Sequence, residues 1–180
     1  IPPWPGALWT MTTTPNERKT PEPNMKRPEP KNRYEQTVLA NVKRFGWHCT
    51  SVGSDAQTDD LRFTYTVGLH ASYGQPEFII FGLEAKVAHE ILSTVASAAE
   101  SGTMFALDAP CSELLEGYDC AFVPVPRESY GDFVASALWF HGGDGFPLYQ
   151  VVWPDRRGLF PWQDGAEVDP LHRQPVPGRD

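Results

Sequence analysis

Between Leu61 and Leu69 the chain alternates without a break. Leu61, Phe63, Tyr65, Val67 and Leu69 are apolar or aromatic, and Arg62, Thr64, Thr66 and Gly68 stand between them. A period of two puts the first set on one face of an extended strand and the second on the other. A helical period does not produce that pattern, so a sheet has to be built around this segment. A turn over 70–76 and a continuous apolar run, Phe78 to Phe81, follow directly. The run predicts a central strand covered on both faces. Strands so close in sequence favour antiparallel hairpins, because a parallel return needs a crossover of a dozen or more residues.

The rest of the chain supplies partners for that strand. Tyr34, Val38, Leu39, Val42 and Phe45 recur at helical spacing, and Gly46 offers a stop. Residues 47–52 predict a short strand and 53–60 a polar loop. Residues 84–101 predict the longest helix, with Val87, Ile91 and Val95 in line and Gly102 at its end. Residues 103–117 follow no clear period. Residues 119–125 predict a strand closed by Pro126. Ser129 and Asp132 have capping-box spacing. They open an expected helix whose apolar face is Tyr130, Phe133, Val134, Ala137, Leu138 and His141, ending at Gly142. Residues 148–153 predict the last strand, before a turn at Pro154–Asp155. The expected fold class is α+β: a single mainly antiparallel sheet with about three helices packed on one face.

That domain is expected over residues 34–165. Before it, prolines at 2, 3, 5, 15, 21, 23, 28 and 30 interrupt a polar stretch. Residues 1–33 therefore read as a disordered tail that buries too little to offset its ordering entropy. Met11 is a candidate natural start, which leaves open whether Ile1–Thr10 belongs to the natural protein. Residues 166–180 read as a loose C-terminal tail.

Charge and cysteine usage narrow the function classes. The formal net charge is -8, with no basic stripe, which disfavours nucleic acid and anionic membrane as partners. A basic protein partner suits that charge better, as for toxin-neutralising immunity proteins. No run approaches the ~20 apolar residues of a membrane helix. Cys49, Cys111 and Cys120 are odd in number and match no disulfide or zinc spacing. Free thiols in the cytoplasm are the expectation.

Four motifs occur in order: Phe63-Thr-Tyr-Thr-Val-Gly-Leu69, Pro76-Glu-Phe-Ile-Ile-Phe-Gly-Leu83, Gln150-Val-Val-Trp-Pro-Asp155 and Gly158-Leu-Phe-Pro-Trp162. Over about residues 35–165 the chain resembles the bacterial family called domain of unknown function 4262. The resemblance implies a small standalone bacterial domain and brings no activity with it. The family pattern often has a His before the Pro-Glu pair. Gln75 stands there in this chain.

Few residues form a recognisable chemical constellation. His89-Glu90 begins like H-E-x-x-H, but Ser93 occupies the second ligand position. His48 and Cys49 are neighbours on a strand and point to opposite faces. Distant residues such as His70, Glu77 and His141 could still assemble a metal site, and the expectation is no metal and no cofactor. There is no G-x-S-x-G elbow for a nucleophile. The glycines at 142, 143 and 145 follow a helix and do not open one, so they make a poor phosphate cradle.

The candidate ligand- or partner-binding residues are Arg62, His70, Tyr73, Glu77, Trp153, Asp155, Arg156 and Trp162. Arg and Trp carry much of the energy at protein interfaces. Asp155, just after Pro154, is suited to closing a turn with its own carboxylate. The first reading is a non-catalytic binding or protein-interaction domain, in one form immunity-like. The second is a small enzyme or ligand-binding domain with a pocket framed by Arg62, His70, Glu77, Asp155 and Arg156; a flavin-type cofactor is one version of it. The partner, in short, is an unknown protein or a small molecule.

Overall fold

The computed structural model describes residues 28–53, 61–167 and 173–179. Most of the expected N-terminal tail, residues 1–27, lies outside them. Asn32 caps the first helix, α1 (Arg33–Phe45), by accepting from the Glu35 amide. The chain then forms β1 (His48–Val52), β2 (Phe63–Val67), α2 (Leu69–Tyr73), β3 (Glu77–Phe81) and α3 (Ala85–Ser101). The hairpin β4 (Cys111–Leu115) and β5 (Tyr118–Pro124) follows, then α4 (Tyr130–Phe133), α5 (Ala135–His141) and β6 (Leu148–Val152). The strand order is β1-β2-β3-β6-β5-β4. Pairing is antiparallel except between β3 and β6, which run parallel. The fold is α+β with a mainly antiparallel sheet, as the spacing predicts. The parallel pair arises because everything from α3 to α5 is inserted between β3 and β6 as one long crossover.

Helices cover both faces of the sheet, not one. Tyr65, Val67, Ile79, Phe81 and Leu148 meet Val38 and Val42 of α1 and Val134, Ala137 and Phe140 around α5. Phe78, Ile80, Phe122 and Val151 meet Ile91, Leu92 and Val95 of α3. Thr64 and Thr66, expected on an exposed polar face, are 2% and 0% exposed. Their hydroxyls make this possible: Thr64 pairs with Ser51 at 3.0 Å and Thr66 with Glu77 at 2.6 Å. A threonine whose single hydroxyl is satisfied is buried at little cost.

Other boundaries moved for local reasons. The strand ends at Val67, because Gly68 at φ 105° turns the chain into α2. A Cβ at Gly68 would also collide with the Val42 methyls. The helix expected over 129–141 breaks at Val134, whose φ of -120° and ψ of 45° leave the helical region. Ser129 makes no side-chain cap bond there. Residues 173–179 lie against the domain where a loose tail is expected: the Gln174 side chain bonds Trp153 and the Pro175 carbonyl accepts from Gln150. Among the described residues no helix is long and apolar enough to cross a membrane.

Candidate functional site

Glu77 opens β3, and its amide donates to the Pro147 carbonyl just before β6. Its side chain has no exposed surface. Four donors converge on the carboxylate. Thr66 Oγ1 donates to Oε2 at 2.6 Å, and the Gly68 and His70 amides donate to Oε1 at 2.8 and 3.1 Å. The left-handed Gly68 aims both amides inward. His141, the last residue of α5, completes the set with Nε2 at 2.9 Å from Oε1. An ionised carboxylate offers about four acceptor positions, and three of these donors share Oε1 while Thr66 alone takes Oε2.

Burial alone pushes the Glu77 carboxyl up. The hydrogen bond and charge of His141, the Thr66 hydroxyl and the His70 amide outweigh it, and the pKa lies below the ordinary carboxylate value. Because an ionised carboxylate only accepts, the proton between the two groups sits on His141 Nε2. The ring lies against Phe146 at 4.5 Å and Phe140 at 5.1 Å between centroids. His70 stands edge-on to it at 5.9 Å. Nδ1 of each histidine is buried with no partner among the described residues. The His141 side chain is only 3% exposed. Carboxylate-oriented imidazole is the geometry of a base, but here it is closed off and ties α2, α5 and the start of β3 together. Among the described residues no three His, Cys, Asp or Glu side chains are grouped to hold a metal.

The five residues expected to frame one pocket fall at opposite ends of β3. His70 and Glu77 are at its start. At its end the Arg62 carbonyl accepts from the Gly82 amide, and Trp153 Nε1 donates to the Phe81 carbonyl at 2.8 Å. Five strand residues separate the two groups by roughly 13 Å. Asp155 and Arg156 follow β6, which runs parallel to β3, so they share the Arg62 end. Among the described residues the five therefore divide between the two ends of the strand. Arg62 Nε is buried there without a partner among the described residues. Tyr73 serves neither group: its hydroxyl donates to the Phe45 carbonyl at 3.3 Å, beside Gly46.

Asp155 organises the turn after β6. Oδ1 accepts from the Arg157 and Leu159 amides at 2.8 and 2.9 Å, and Oδ2 from the Glu167 amide at 3.0 Å. These bonds, the Glu167 amide first, hold its pKa down at about 2. Arg157, not Arg156, pairs with the carboxylate. The Arg156 side chain is exposed and makes no bond or ion pair among the described residues. Phe160 and Trp162 stack in parallel at 4.9 Å and 8°, and the Arg179 guanidinium lies 4.2 Å over the Trp162 ring.

Cys49 and Cys120 are poor nucleophiles. Burial pushes the Cys49 thiol up to about 11 and the Cys120 thiol to about 12. His89, on α3, stacks on Trp47 at 5.8 Å. Sequence reasoning missed Gln150, Gln174 and Arg179. The available signal for the first was a fully polar side chain inside the apolar run of β6. For His141 it was an imidazole on the apolar face of its helix.

No curated protein and no solved structure matches the chain. A family model, the domain of unknown function DUF4262, matches residues 41–167, from within α1 to the end of the Asp155 turn. With the greater part of its length matched, and both ends of β3 inside the match, the chain belongs to the DUF4262 family.

Proposed function

We propose that the chain is a non-catalytic protein-interaction domain whose binding face is the turn after β6. The observation that carries this reading is the Asp155 carboxylate holding three backbone amides of one turn. A turn fixed in advance loses little further entropy on binding. It presents the exposed Arg156 and the stacked Phe160–Trp162 pair, residue types that anchor interfaces. The unpaired guanidinium selects a carboxylate on the partner, beside an apolar side chain that meets the aromatic pair. Immunity-like capture of a basic partner would instead use the acidic remainder of the surface. The burial of Glu77 and His141 supports binding over catalysis, since the imidazole that a carboxylate orients is only 3% exposed. The free thiols of Cys49, Cys111 and Cys120 suit a reducing compartment, the cytoplasm.

The test immobilises three forms of the full chain: wild type, Arg156→Ala/Trp162→Ala, and Lys86→Ala as a remote surface control. A protein retained from cells is purified and titrated against each. The expected result is binding to wild type and Lys86→Ala that weakens at least about tenfold in the double variant, the loss of one good anchor. Equal binding by all three removes this face from consideration.

A further inference from the structure

Residues 174–179, Gln-Pro-Val-Pro-Gly-Arg, lie on β5 and β6 in the way a bound peptide would. Gln174 makes a two-way pair with the backbone of Trp153: Oε1 accepts from its amide at 3.0 Å and Nε2 donates to its carbonyl at 2.9 Å. Its side-chain amide thus imitates one more strand residue where β6 ends. The Pro175 carbonyl accepts from Gln150 Nε2 at 2.8 Å. Gln150 is 0% exposed and pairs with Val123 across β5–β6. Gly178 runs so close to the Pro124 carbonyl oxygen and the Val123 side chain that a Cβ there would collide with both. Arg179 closes the contact on the Trp162 ring.

We propose that this trough over β5–β6 is a recognition groove for a proline-containing peptide that ends in a helical turn, as Pro177–Arg179 does here, with glycine and arginine three and four residues after its first proline, and that residues 174–179 are its resident intramolecular occupant. The reading rests on the interaction role of the Trp162 face and names the kind of segment that face takes. A buried side-chain amide directed at a peptide carbonyl, next to an aromatic surface, is the chemistry by which proline-rich segments are held. Prolines suit it because their ring already fixes φ, so they lose little backbone entropy on binding.

The occupant is an incomplete fit. Gln150 Oε1 is buried and unpaired among the described residues. Pro175 and Pro177 have no N–H to offer it. Among the described residues the segment is tied to the domain by three hydrogen bonds and one stacked guanidinium, it is only half-buried, and Gly178 and Arg179 are exposed, which favours exchange. As a tethered ligand they compete at high effective concentration, and a free peptide enters when the tether is weakened.

The experiment titrates fluorescein-labelled Gln-Pro-Val-Pro-Gly-Arg, by anisotropy, into the full chain. Gly178→Val forces the resident segment off Pro124 without altering the groove. Arg179→Ala removes only the exposed stacking group, so the fold is kept. Circular dichroism checks each variant. Both variants are expected to bind the peptide at least tenfold more tightly than wild type, and Trp162→Ala added to Gly178→Val reverses the gain. A scrambled peptide is expected to bind none of them. The proposal is overturned if folded Gly178→Val and Arg179→Ala bind the peptide no better than wild type, or bind the scrambled peptide equally. If peptide binding fails while partner capture still depends on Arg156, the groove assignment alone falls and the interaction face stands.

Discussion

The Glu77 carboxylate, with no exposed surface, accepts a hydrogen bond from His141 Nε2 at 2.9 Å across 64 residues of sequence. The same carboxylate takes the Gly68 and His70 amides and the Thr66 hydroxyl. One buried group therefore fixes the start of β3, the entry to α2 and the end of α5. Removing its charge should release all of them together.

Glu77→Gln replaces an acceptor-only group by one with an NH₂ facing donors. It should lower the unfolding free energy by about 2–4 kcal/mol, the range for breaking a buried charge-assisted network. Urea unfolding measures it. The folded pKa of Glu77 is depressed, so its contribution is present above the ordinary carboxylate value near 4.5 and is lost as pH falls through the folded value. The acid limb of the stability curve should accordingly be shallower in Glu77→Gln than in wild type. An unchanged limb would show that other carboxylates govern acid unfolding.

Thr66→Val keeps the shape of the side chain and removes a hydroxyl that both donates to Glu77 and accepts from the Phe78 amide. Two buried groups lose a partner, at about 2–3 kcal/mol together. Thr64→Val, which loses a single bond to Ser51, should cost less than about 1 kcal/mol. Thermal melts of the two variants rank them, and equal costs would contradict the bonding described for Thr66.

Asp155→Ala should lower the melting temperature by roughly 2–5 °C, as expected of a modest local loss in a domain of this size. Arg156→Ala should leave it unchanged, because that side chain has no partner among the described residues. With its pKa held at about 2, Asp155 contributes above the ordinary value of 3.8 and loses that contribution as pH falls toward 2. A larger melting shift in Arg156→Ala than in Asp155→Ala would reverse the two roles.

The thiols of Cys49 and Cys120, pushed up to about 11 and about 12, hold almost no thiolate at pH 8. Labelling of these two positions by a thiol–disulfide reagent, read by peptide mapping, should be slower by about 100-fold in the native protein than in urea, following the loss of thiolate. Comparable rates would mean that either strand opens readily.

Much of the secondary structure was legible because periodicity is a local property of the chain. The alternation at 61–69 required a strand, and Gly102 ended α3 where the sequence placed it. Three features hid from the same reasoning: α2, in a stretch that reads as a turn, β4, and the break at Val134. β4 carries Ser112 and Glu113 exposed between buried Cys111 and Leu114, so neither period is visible in its five residues. The break at Val134 follows no glycine or proline, and no local signal marks it.

What the sequence by itself determined was most of the strands and helices, the mainly antiparallel pairing of neighbours, and the family, through four motifs in fixed order. Only the tertiary structure decided which surfaces are covered and which side chains meet. Thr64 and Thr66 look like solvent-facing residues until Ser51 and Glu77 satisfy their hydroxyls. His70, Glu77 and His141 were one remote combination among many until the parallel β3–β6 pair brought α5 over the start of β3. Arg62 and Glu77 lie near each other in sequence and at opposite ends of a strand in space. The physical reason is the same in each case. Backbone periodicity depends on neighbours along the chain, whereas a buried polar group is stable only when its hydrogen-bond partner arrives, and that partner comes from wherever the sheet order puts it.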